Sequence, residues 1–149
     1  MAGVREAATV FLLAISVMAG CSGGPSGPSD GSGDTVVGDY ASLVHALRAA
    51  GSAVNPAGAV SQPFFAPQGQ VLNVDGEDVQ VFEFASPEAT DTVAQSISAD
   101  GSSIGTSMVG WVAPPHLYRA GRLIVIYVGS ASGVIGALQE VMGAQFAGS

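Results

Sequence analysis

The chain has 149 residues, with 4 Lys+Arg against 12 Asp+Glu, a formal net charge of -8 and 48% hydrophobic side chains; it contains no lysine. This balance excludes a nucleic-acid binder, which needs clustered Lys and Arg to meet phosphates, and a domain drawn by charge to anionic lipid. The single cysteine, Cys21, excludes an intrachain disulfide and a thiolate metal site, so the fold must rest on packing.

Residues 1–20 have the layout of an export signal, with Arg5 in the leading region and an apolar stretch from Ala7 to Ala19 broken only by Thr9 and Ser16. That stretch is shorter than the about 20 residues needed to cross ~30 Å of hydrocarbon, and no later run is long enough to span. Its last residues, Val17-Met18-Ala19-Gly20-Cys21, resemble the lipobox of bacterial lipoprotein signals. There the residues before the cysteine direct acylation of its sulfur and cleavage just ahead of it. The resemblance implies an exported chain beginning at Cys21, anchored by acyl groups such as palmitate to the cell membrane or outer membrane. Each buried CH₂ of such a chain contributes about 0.8 kcal/mol of anchoring. The mature chain then carries 11 acids (12 less Glu6) against Arg48, Arg119 and Arg122.

Residues 21–34 are dominated by Gly, Ser and Pro and offer nothing to a core. They read as a flexible tether with an r.m.s. span of about 20 Å. Residues 35–149 are one domain's worth of chain.

Within that domain, Asp39 is placed to cap a helix over Tyr40–Ala50 with Leu43, Val44 and Leu47 on one face and Gly51 as its stop. Ser52 to Gly69, interrupted by Pro56, Pro63 and Pro67, reads as loop. Gln70–Val74 and Asp78–Ala85 predict two strands joined across Asp75-Gly76, the strongest hairpin signal in the chain. Ser86-Pro87-Glu88 supplies an N-cap, a proline at the first helical position and an acid in the first turn, with the helix expected to run to Asp100-Gly101. Met108–Val112 reads as a short strand, ended by Pro114-Pro115.

His116–Tyr118 and Arg122–Val128 are expected to pair around Ala120-Gly121. Val134, Ile135, Leu138, Val141 and Met142 mark the inner stripe of a helix over Ser132–Phe146. The unbroken apolar run Leu123–Val128 predicts a central strand buried on both sides. The expected class is α+β: a two-layer sandwich in the order α-ββα-ββα. Its mainly antiparallel sheet of four to five strands would have helices on one face.

Chemistry-bearing residues are sparse. The segment holding His116, Tyr118, Arg119 and Arg122 is the one positive concentration. It predicts either bidentate capture of a carboxylate or phosphate, or, more simply, arginines paired with the domain's own acids, such as the Asp75-Glu77-Asp78 turn. His45 and His116 alone fall short of the three protein ligands a zinc site needs. The acidic turn lacks the alternating oxygen ligands of a calcium loop, so no metal is expected.

No Gly-x-Ser-x-Gly elbow is present, and Gly101–Gly105 lacks the Gly-Lys-Ser/Thr ending of a phosphate loop; no enzyme and no cofactor are expected. Phe64-Phe65 on a proline-stiffened loop, and Trp111 beside the Pro114 break, predict either a partner- or bilayer-facing surface or rings folded back on the core.

Three longer phrases, Ser61-Gln62-Pro63-Phe64-Phe65, Gly76–Glu83 and Trp111–His116 with Tyr118–Val125, resemble a set of small bacterial lipoproteins without an assigned activity. The resemblance implies envelope localisation and carries over no site residues. The sequence therefore reads as a lipid-anchored, non-enzymatic accessory or protein-binding module of the cell envelope. An anion- or small-molecule-binding domain is the alternative.

Overall fold

A computed structural model describes residues 36–149; Cys21 and the expected signal and tether lie outside the described residues. Asp39 opens helix α1 (Tyr40–Ala49) through a reciprocal cap. Its Oδ1 accepts the Ser42 N–H at 2.8 Å, and Ser42 Oγ accepts the Asp39 N–H at 3.0 Å. Two donors that the first turn leaves without helical partners are thereby satisfied.

The expected loop after α1 is instead strand β1 (Val54–Val60). Only Val54 of it is buried, and its register on the neighbouring strand shifts between Pro56 and Gly58. An edge strand needs hydrogen bonds on one side only, so it tolerates a proline and a bulge, and it need not show alternating hydrophobicity. That is why its sequence does not look like a strand.

Strands β2 (Gly69–Val74) and β3 (Glu77–Glu83) form the expected hairpin. Asp75 at φ 52° and Gly76 at φ 94° both occupy the left-handed region that a two-residue type I′ turn requires. Ser86 caps α2 (Pro87–Gln95), which ends at Gln95 rather than near Asp100. Ile97 turns inward beyond it and bridges to Ile104. The strand expected over Met108–Val112 reduces to a small ribbon of β4 (Ser103–Ile104) and β5 (Ser107–Met108).

β6 (Pro115–Ala120) and β7 (Leu123–Val128) make the second long hairpin. α3 (Ser132–Met142) stops at Gly143, short of Phe146, and the chain returns as β8 (Ala147–Gly148) along β6.

The result is an α+β fold with a six-stranded antiparallel sheet in the order β1-β2-β3-β7-β6-β8 and three helices. Side chains on alternate positions of β7 enter two separate cores. Leu123, Val125 and Tyr127 join Leu43, Leu47, Val134 and Leu138 of α1 and α3. Ile124 and Ile126 join Phe65, Phe82, Phe84 and Ala94, the last from α2. Helices therefore cover both faces of the sheet, not one, and β7 is buried on both sides as expected.

The turn between β6 and β7 is locked to the segment before α1. Gly121 takes φ 52°, and a Cβ built on it would lie 2.5 Å from the Gly38 Cα. The adjacent Arg122 N–H donates to the Gly38 carbonyl at 2.9 Å. Gly121→Ala combines a strained φ with a backbone clash, so it is expected to lower unfolding free energy by more than about 1 kcal/mol in denaturant titration.

Candidate functional site

The β6–β7 hairpin places the four residues of the positive segment in different surroundings. Successive side chains on a strand point to opposite faces, which separates Arg119 from His116 and Tyr118. Arg119 reaches the α2 side, where Nη1 lies 2.9 Å from Asp91 Oδ1 and the guanidinium sits 5.8 Å from the centre of the Phe146 ring. Arg122, in the turn, pairs through Nη2 with Glu83 Oε1. The other Glu83 oxygen accepts the Tyr40 N–H at 3.2 Å.

Both arginines are thus matched with the domain's own acids, and these are Asp91 and Glu83 rather than the Asp75-Glu77-Asp78 turn. That turn is occupied locally. Asp75 Oδ1 accepts the Ala53 N–H at 2.8 Å, Asn73 Nδ2 donates to Asp78 at 3.2 Å, and Tyr127 donates its hydroxyl to Glu77 at 3.2 Å. Half-exposed pairs of this kind contribute about 0–1 kcal/mol each.

His116 is buried. Its Nδ1 lies 2.7 Å from Gln145 Oε1 and its Nε2 lies 3.1 Å from the Gly129 carbonyl, while its ring stacks on Tyr127 at 6.0 Å. Gln145 Nε2 in turn donates to the Ser149 carbonyl at 2.9 Å. Both neighbours are oxygens, which accept, so a neutral ring donates to one of them; the ring lies between the returning tail and the β7–α3 turn.

Tyr118 is wholly buried in the α1/α3 core, and its hydroxyl has no hydrogen-bond partner. Burial pushes its phenol above the ordinary value of 10.0, and burial also raises Tyr127. His116, Tyr118, Arg119 and Arg122 therefore do not converge on one ligand.

Near Arg122 a groove of about 380 Å³ is lined by Tyr40, Gln68, Gln70, Val81 and Glu83. Its one carboxylate already serves Arg122 and the Tyr40 N–H. Its remaining polar lining is the Tyr40 hydroxyl and the Gln68 and Gln70 amides. Among the described residues no group of three or more His, Cys, Asp or Glu is arranged to hold a metal ion. His45 is exposed on α1 and His116 is buried in the fold. None of the described helices is long and apolar enough to cross a membrane.

The aromatic residues behave differently. Phe65 is buried, edge-on to Phe82 at 4.8 Å and to Phe84 at 5.7 Å, so it belongs to the core. Phe64 stands outside it, 4.9 Å from Phe65 and 6.4 Å from Trp111. Both Phe64 and Trp111 are half-buried. Trp111 is held by its Nε1–H, which donates to the Gly101 carbonyl at 2.8 Å.

The Gly101 turn is set by Asp100, whose Oδ1 accepts from Ser98 Oγ at 2.6 Å and from the Ser102 N–H and Oγ at 3.0 and 2.9 Å. These donors, led by the Ser98 hydroxyl, hold the Asp100 carboxyl down at about 2 against an ordinary 3.8.

In the same stretch of chain as Trp111, Met108 is 83% exposed and Val112 is 99% exposed. Neither stands out in the sequence as a surface residue. A compositional signal does mark the region: the runs 49–74 and 101–115 contain no charged residue in a chain otherwise rich in acids. The fold brings parts of both runs together at Phe64 and Trp111. Comparisons with protein-family models, with curated proteins and with solved structures each gave no match.

Two outcomes test this description. Tyr118→Phe removes an unpaired buried hydroxyl, whose desolvation costs about 1–3 kcal/mol, and is expected to leave thermal stability unchanged or raise it. In the unsubstituted protein the Tyr118 phenol is raised, so the folded state holds its proton longer than the unfolded state. Stability is then full below pH 10 and falls as pH rises past it; phenolate absorbance of Tyr118 should appear only with unfolding.

Asp100 has the opposite sign. Its lowered carboxyl stabilises the fold above about pH 4, and that contribution is lost as pH falls through about 2. Asp100→Asn should therefore destabilise at pH 7 and make little difference at pH 2, as read by denaturant titration at the two values.

Proposed function

We propose that this protein is an exported, lipid-anchored domain of the cell envelope that acts by contact rather than by catalysis. The observation that carries the reading is the position of the one cysteine. It closes an apolar stretch in a lipobox-like phrase and is followed at once by a Gly/Ser/Pro segment, the arrangement that acylation and tethering require. The distribution of polar groups in residues 36–149 supports the non-catalytic part. Arg119 and Arg122 are paired with acids, both ring nitrogens of His116 lie within hydrogen-bond distance of oxygens of the fold, and the exposed large apolar side chains are Val112, Val36 and Met108.

Mature protein isolated from its native membranes is expected to have the mass of a chain starting at Cys21 plus acyl groups. Cys21→Ala should appear in the soluble fraction. An unmodified chain in the soluble fraction would overturn the reading.

A further inference from the structure

We infer that the free edge of β1 is a latent pairing surface for a second copy of this chain, held closed by Arg48 and Pro56.

Among the described residues β1 has one partner strand, β2, and it ends the six-stranded sheet. An outermost strand turns a row of backbone N–H and C=O groups outward, where another chain can pair with them. Residues Asn55 to Ala59 of β1 are exposed, and neither the strand nor the run 49–74 around it holds a charged residue. Charged side chains, a common guard of a sheet edge, are therefore missing from this strand. The opposite edge is short instead: β8 has two residues, and its Gly148 N–H is taken by the Ala99 carbonyl at 2.8 Å.

The direction of the first β1 groups follows from one hydrogen bond. The Asp75 N–H donates to the Ala53 carbonyl at 2.9 Å, so that carbonyl points to the β2 side. The C=O and N–H of one trans peptide point oppositely, and successive residues of a strand turn their backbone groups to alternate edges. Val54 therefore directs its N–H and C=O away from β2, Asn55 faces β2, and Pro56 faces away again.

Both outward positions are closed. Arg48 Nη2 donates to the Val54 carbonyl at 2.8 Å, which brings a guanidinium from the last turn of α1 to the edge. Pro56 has no N–H to offer. Directly after it the register on β2 shifts, with Gly58 at φ 133°. Such a bulge interrupts the regular ladder, so the outward groups on its two sides are out of step.

The partner this edge fits is a second β1. Two copies related by a twofold axis present the same strand to each other in antiparallel pairing. The uncharged strand then sets no like charges opposite one another, although the chain carries a net charge of -8. Pairing requires Arg48 to leave the Val54 carbonyl, which gives up a charge-assisted hydrogen bond.

The test uses the full chain with Cys21→Ala in every variant, so that neither a thiol nor an acyl group joins two copies. Sedimentation equilibrium reads the mass, and amide hydrogen exchange at Val54 locates the contact. Arg48→Met with Pro56→Val removes the guanidinium and restores the missing donor. This variant should form pairs at concentrations where the Cys21→Ala chain does not, and exchange at Val54 should slow as concentration rises. Restoring Arg48 should weaken the pairing about tenfold, the equivalent of one charge-assisted hydrogen bond.

Both substituted positions are exposed, and unchanged exchange protection along β7 would show that the fold is kept. Should the double variant lose that protection, Arg48→Gln with Pro56→Thr is read in the same two ways. A folded variant that keeps the mass of the Cys21→Ala chain would overturn the inference. So would association that leaves exchange at Val54 unchanged, because the copies would then meet elsewhere.

Discussion

Leu123, Ile124, Val125 and Ile126 are wholly buried and Tyr127 is 1% exposed, on a strand with a paired strand along each edge and a packed core on each face. Each such side chain, fully buried, is worth about 1.5–3 kcal/mol relative to exposure. No residue of the strand can be moved without opening one of the two cores. The order of the sheet follows from this strand. β3 and β6 flank it, α1 and α3 close the Leu123 side, and α2 with the Phe65 loop closes the Ile124 side. With no disulfide available to a chain holding one cysteine, this double burial is what holds the domain.

Closing two faces with three short helices leaves gaps, and the gaps set the character of the surface. α2 covers only part of its face, and the remainder is covered by the Phe64-Phe65 loop and the segment through Trp111. A covering made of loops must satisfy its own backbone and polar groups. The Asp100 turn does so, and by placing the Gly101 carbonyl under the Trp111 N–H it also fixes the indole. The same covering ends with Met108 and Val112 in solvent. On the first face the unpaired Tyr118 hydroxyl is the counterpart, a polar atom enclosed because the strand pleat turns it inward.

The charged residues are mostly spent on the fold. Glu83 joins Arg122 to the start of α1, and Asp91 joins Arg119 to α2. These pairs join the middle of α2 and the end of β3 to the hairpin, and half-exposed as they are they add little stability.

Local chemistry was legible from the residues alone. The Asp39 and Ser86 caps, the Asp75-Gly76 and Gly121 turns, the three helices and the double burial of Leu123–Val128 all depend on neighbours close in sequence or on the apolarity of a single run. The separation of Phe65 into the core from Phe64 at its edge was not legible, because the two residues are identical and adjacent and differ only in which way the loop points them. β1 escaped for a related reason: an exposed edge strand needs no apolar alternation, and Pro56 argues against it. Composition determined that the chain is small and acidic and that its single cysteine can form no intrachain disulfide. Tertiary structure decided that both faces of the sheet are covered, that Arg119 and Arg122 meet Asp91 and Glu83, and that Met108 and Val112 are left outside. Those outcomes rest on contacts between residues far apart in the chain, and no local pattern encodes which distant side chain will arrive.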